Sequence, residues 1–110
     1  MTTQPGTGPY NQITPRFGEI TRDILFGEIW ERPGLSKRDR SLCVIAALAA
    51  MYRTNQLETN LRRALENGVT KEEIGEVFMQ MAFYAGWPCA VNAFEVSKKV
   101  FDEGAVITPN

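Results

Sequence analysis

An all-α fold is predicted from three observations. Helix-start signals recur along the chain, Ser36 with Asp39, Asn55 with Glu58 and Thr70 with Glu73, each leading into an apolar repeat of helical period. No segment shows the strict apolar–polar alternation of a strand. Leu42 to Tyr52 reads LCVIAALAAMY, eleven residues without a charge. A helix apolar on every side has to be buried on every side, which in so small a chain calls for a central helix wrapped by the others and by a second subunit.

Residues 1–12 are rich in Gly, Pro, Thr and Gln and have little to bury, so a flexible arm is expected ahead of one domain over 13–110. Thr14 and Pro15 supply an N-cap and a first-turn proline, and Phe17, Ile20, Ile24 and Leu25 carry a first helix to about Phe26. Pro33-Gly34 makes a turn, with Trp30 expected as a lid on the core. The central helix should start at Lys37 and end near Tyr52 or Arg53. Asn55 then caps a helix with an apolar stripe of Leu57, Leu61, Ala64 and Leu65, closed by Gly68. Thr70 caps the next, which buries Ile74, Val77, Phe78, Met81 and Ala82 and stops at Gly86. Pro88 restarts the helix, and Val91, Phe94, Val96, Val100 and Phe101 lead it to Gly104. That makes five helices.

The chain has 110 residues, 44% of them hydrophobic, enough for one core, though at this size burial is only about two thirds complete and association would help. Twelve Lys plus Arg against thirteen Asp plus Glu leave a net charge of -1, which argues against nucleic acid or an anionic membrane as partner. No apolar run approaches the roughly 20 residues of a membrane span, and the N-terminus lacks a basic stretch followed by an apolar one, so a cytoplasmic protein is expected. Cys43 and Cys89, each in an apolar helical setting, read as two buried free thiols. Histidine is absent, which removes the commonest acid–base group near neutral pH and the commonest metal ligand. No metal or other cofactor is expected.

Three segments in order, ILFGEIWERPGLSKRDRSL, RRALENGVTKEEI and AFYAGWP, resemble the carboxymuconolactone decarboxylase family, which shares its AhpD-like helical fold with the alkyl hydroperoxidase D-like proteins. The resemblance runs from about Ile24 to Glu103. It implies a homo-oligomer, a trimer or hexamer, with its site near subunit contacts and a role in aromatic catabolism. Peroxidase-type members carry a CxxC pair and a following His. Here Arg53, Gln56 and Asn60 stand at those positions, and neither Arg nor Gln can act as a thiolate. Decarboxylase-type members keep the His, and a related subgroup has a second one. These positions are Asn60 and Gln80 here, so amides replace both imidazoles.

The reaction implied by the resemblance removes carbon dioxide from a small carboxylated lactone or enol acid. It needs a carboxylate anchor, stabilisation of an enolate and a proton donor to carbon. Arginine suits the anchor: Arg40 and Arg53 flank the apolar helix, and Arg62 and Arg63 lie near the family's site, with a solvated face or salt bridges as the competing reading. Asn60 and Gln80 can donate hydrogen bonds to an oxyanion but no proton near neutral pH. Glu58 would serve as general acid if desolvation raised its pKa, although capping also explains it. Tyr84 and Trp87 bracket Gly86, where their rings could wall a planar ligand or simply pack. Cys89 sits in a first turn, where the helix dipole favours a thiolate. The function expected is a lyase of this type. The rivals are a non-catalytic small-acid-binding or assembly protein on the same fold and a thiol redox protein using Cys43 or Cys89.

Overall fold

The computed structural model describes residues 8–107, with side chains through 103. Among these, six α-helical stretches and one π-helical stretch alternate with short turns, and no strand is present. They are α1 (Tyr10–Ile13), α2 (Pro15–Ile20) running directly into π-helical Thr21–Ile29, then α3 (Lys37–Ala50), α4 (Thr54–Glu66), α5 (Lys71–Ala85) and α6 (Trp87–Ile107). Residues 1–7 of the expected arm lie outside the described residues. Tyr10, in a helical turn, sets its ring edge-on to Phe17 at 4.9 Å.

The four long helices make the core. α4 packs against α3 and α6, and α5 against α6 and α3, and at their centre Phe78, Ile45, Leu57, Leu61 and Ile74 are fully buried. The stripes read from α4 and α5 are the ones that turn inward, with Val77 and Leu65 half-buried at their edges. Phe94 meets Phe78 edge-on at 5.9 Å.

Helix ends follow the predicted chemistry in most places. Ser36 Oγ accepts from the Asp39 amide at 3.0 Å. Thr70 and Glu73 form the full reciprocal box, at 3.1 and 2.9 Å. Gly68, at φ 98°, closes α4 with its amide on Leu65 O and that of Val69 on Ala64 O, the paired bonds that satisfy a helix's last carbonyls. The same pair of bonds closes α3, from Tyr52 to Ala49 O and from Arg53 to Leu48 O, but here Tyr52 takes the left-handed position at φ 58°. An aromatic residue is seldom held there without support. Hydrogen bonding with the Cys89 thiol of α6, followed by burial, raises the Tyr52 pKa.

Several expectations are corrected. Thr14 makes no side-chain cap, and its own amide is taken by Tyr10 O at 2.7 Å. The first helix does not stay α-helical to Phe26: Thr21 Oγ1 donates to Phe17 O at 2.8 Å, and from Thr21 the winding widens until the Trp30 amide bonds Leu25 O, five residues back. A hydroxyl inserted into the carbonyl ladder loosens it in this way. α4 begins one residue before Asn55, with Arg53 as its N-cap and no side-chain bond, so Asn55 caps nothing. α6 continues past Gly104 to Ile107.

The largest correction concerns α3. Only Ser41, Ile45 and Ala49 are buried, one stripe of the helix, while Cys43 and Ala47 are exposed in the single chain. Cys43 is therefore not the buried thiol expected, whereas Cys89 is.

Candidate functional site

α3 carries an open space on each of two sides. Between it and the π-helical segment lies a pocket of about 220 Å³, walled by Leu25, Ile29, Trp30, Leu35 and Val44, with Arg40 and Cys43 from α3. Between α3 and α5 runs a wider, shallower groove of about 760 Å³, bordered by Cys43, Ala47 and Ala50 on one helix and Val77, Gln80 and Tyr84 on the other. Cys43 borders both.

Arg40 is the charged group of the smaller pocket. Its Nη2 donates to Arg32 O at 3.1 Å, across the Pro33-Gly34 turn. Its Nε is buried and, among the described residues, has no acceptor. A buried guanidinium nitrogen without a partner is costly, and an apolar pocket around it supplies nothing in return. Trp30 does not lie over the core as a lid. It stacks on Phe26 with ring centroids 6.1 Å apart and planes 13° apart, and Phe26 in turn lies under the Arg63 guanidinium at 4.8 Å. That stack fixes the pocket's outer wall.

Of the other predicted residues, Gln80 and Tyr84 share the groove. Arg53 is exposed at the α3–α4 turn. Tyr84 and Trp87 are 84% and 64% exposed, and Trp87 packs edge-on against Phe83 at 6.0 Å, so neither is core packing in this chain. The α4 residues stand apart from both spaces. Asn60 donates to Gln56 O at 2.8 Å and accepts from Arg63 at 3.3 Å, which uses both ends of its amide. Arg62 bridges Glu58 at 2.9 Å and Glu103, and Lys99 reaches Glu58 at 2.9 Å. This cluster ties α4 to α6.

Glu58 does not cap a helix, as the sequence suggested. Lys99 first, then Arg62, holds its carboxyl below the ordinary value of 4.5, the opposite of what a proton donor at neutral pH requires. A carboxyl with a depressed folded pKa stabilises the fold above its unfolded pKa and loses that contribution as pH falls through the folded one. Thermal melts of wild type and Glu58→Gln should therefore differ most near neutral pH and converge as pH falls through the depressed Glu58 pKa, below the ordinary value of 4.5. The gap will be modest, because Lys99 is 62% exposed. Equal melting temperatures throughout would show that the cluster carries no stability.

Sequence reasoning missed Cys43 as a lining residue. The available signal was its position one turn after Arg40, which puts both on one helix face.

Among the described residues no helix is long and apolar enough to cross a membrane. The model of the carboxymuconolactone decarboxylase family matches residues 15–99. The chain is 37% identical over 93 residues to 4-carboxymuconolactone decarboxylase of Acinetobacter baylyi, covering 84% of this chain and 69% of that one. It is 32% identical over 85 residues to nitrosuccinic acid decarboxylase of Metarhizium robertsii, covering 77% of this chain and 59% of that protein, less than two thirds of its length. With the match extending from the start of α2 nearly to the end of the ion-paired part of α6, the chain belongs to the carboxymuconolactone decarboxylase family.

Proposed function

We propose that the chain is a carbon–carbon lyase that decarboxylates a small carboxylated lactone or enol acid, with Arg40 anchoring a carboxylate. The observation that carries this reading is Arg40 among the lining residues of a pocket whose other walls are largely apolar. A carboxylate is the natural complement to a guanidinium, and the relatives named for decarboxylation of carboxylic acids support it. When the bond to the departing carboxyl breaks, the electron pair passes to a conjugated oxygen. Gln80, in the groove beyond Cys43, presents an amide N–H able to stabilise it. Tyr84 lines the groove, whereas Arg53 and Trp87 are not among the lining residues of either space. Asn60, Glu58 and Arg62 act as structural groups, since their polar atoms are already engaged.

A second copy of the chain would complete the site. Phe83 (76% exposed), Tyr84 and Trp87 form an aromatic ridge beside the groove, and exposed apolar surface of this kind marks an interface.

The test is to offer 4-carboxymuconolactone and nitrosuccinic acid to the protein, following carbon dioxide release and melting temperature together. A raised melting temperature with release is expected, a ligand at about 100 times its Kd adding about 2.7 kcal/mol. A shift without release would favour the non-catalytic binder, and neither effect would refute the reading.

A further inference from the structure

A decarboxylation that ends in a new C–H bond needs a proton, and the chain has no histidine to give it. Glu58, the acid suggested by the sequence, is committed to Lys99 and Arg62. The walls of the Arg40 pocket decide what remains. Leu25, Ile29, Leu35 and Val44 have no acidic proton, the Trp30 indole is a hydrogen-bond donor only, and the guanidinium keeps its charge in any protein. The remaining wall group of that pocket is the Cys43 thiol, and thiols ionise close enough to neutral pH to pass a proton on; the groove adds Glu76 and Tyr84, neither of which lines the pocket that contains Arg40.

From this geometry we infer that Cys43 is the proton donor to carbon. The inference rests on the proposed lyase reading and deepens it. Cys43 borders the pocket that contains Arg40 and also the groove that contains Gln80, so an acid lying across it meets anchor, donor and oxyanion-stabilising amide together. Its sulfur is accessible, in contrast to that of Cys89, which is buried against Ala50 O and Ala85 O at 3.6 and 3.7 Å. Arg40 lies three residues earlier on the same helix face. Its positive charge balances the negative charge that the sulfur acquires when its proton leaves.

The step balances without an oxidant or reductant. The C–C bond to the departing carboxyl breaks, carbon dioxide leaves, and the electron pair enters the enolate. The pair then returns to carbon and takes the S–H proton, and water restores the proton to the thiolate. The carboxylate on Arg40 is the one that stays in the product, because tight binding of the departing group would stabilise the ground state against its loss. The substrate class is therefore an acid with two carboxyl groups.

The experiment compares wild type, Cys43→Ala and Cys43→Ser with 4-carboxymuconolactone as the probe, measuring binding by thermal shift and kcat across pH. Binding should persist in both variants while kcat falls about 10²- to 10⁴-fold. Serine matches the thiol in shape but is far too weak an acid, so it should not rescue, whereas a packing role would be rescued. The wild-type rate should fall at alkaline pH, and this fall should be absent in the alanine variant. Near-normal kcat in either variant, or loss of binding along with turnover, would overturn the assignment of Cys43 alone. A wild type that neither binds nor turns over would overturn the lyase reading and this inference with it.

Discussion

Arg40→Met should raise the melting temperature while lowering kcat/KM, two effects of opposite sign from one substitution. In the free protein the Arg40 Nε is buried without an acceptor, and an unsatisfied buried polar group costs about 1–3 kcal/mol. Methionine fills a similar space without that penalty. The substitution also removes the bond from Nη2 to Arg32 O, which returns about 1 kcal/mol of the gain. The balance is a stabilisation of about 1 kcal/mol, or roughly 4–8 °C in a domain of this size. Against it, truncating one partner of a desolvated guanidinium–carboxylate pair costs about 2–5 kcal/mol, so kcat/KM should fall by roughly 30- to 5,000-fold. Arg40→Lys should recover little, because a lysine ammonium cannot reproduce the planar fork of donors. Thermal melts and initial rates on the same samples decide the matter. If the melting temperature falls sharply, Arg40 serves the fold by pinning the Pro33-Gly34 turn, and the pocket has another purpose. Stability given up locally in exchange for ligand binding is the usual relation between a site and its scaffold.

The second large effect is on association. On the proposed two-copy assembly, Phe83→Glu combined with Trp87→Glu should leave a 12.3 kDa monomer in sedimentation. Both rings are mostly exposed on the single chain and touch each other at 6.0 Å, a cluster that water solvates poorly. Covering an aromatic side chain of this size removes enough apolar surface to contribute about 2–3 kcal/mol. In a two-fold interface every such contact occurs twice, so the pair of substitutions should raise the dissociation constant by at least about 10³-fold. Replacement by glutamate adds like-charge repulsion across the axis. A wild type that sediments as a monomer would remove the basis for this surface. The exposed Ala47 of α3 would then need another explanation.

Much of the fold could be read from the sequence because its helix ends are chemically explicit. Thr70 with Glu73, Ser36 with Asp39 and Gly68 each act locally, through atoms within a few residues, and each does in the structure what the sequence indicated. Asn55 with Glu58 showed the same spacing but failed. The hydrogen bonds that close α3 place Arg53 directly before α4, and that start is set by the preceding turn. Glu58 found partners 41 residues away in Lys99 and only four away in Arg62, and a local pattern cannot show the first. The all-round apolar α3 was legible as a residue run but its environment was not, since one chain covers only a stripe of it.

The candidate site was less legible than the fold. Arg40 was singled out as an arginine flanking an apolar helix, but the pocket it lines is built from residues of separate segments, a property of three-dimensional packing alone. Asn60 was chosen by position in a motif, and its amide turned out to be occupied within its own helix. Cys43 was set aside as buried because its neighbours in sequence are apolar, whereas the helix turns it outward.

The widened winding of Thr21–Ile29 has a consequence for how the pocket is encoded. In an ordinary α-helix residues five apart point well away from each other, whereas five-residue winding brings them nearly into line. Leu25 and Trp30 are such a pair, joined by the Trp30 amide bond to Leu25 O, and both line the pocket. The wall is thus the geometric equivalent of one residue inserted into an α-helix. Its shape depends on chain length between two points more than on which residues fill it, so two relatives could share every lining residue here and still differ in whether the pocket exists.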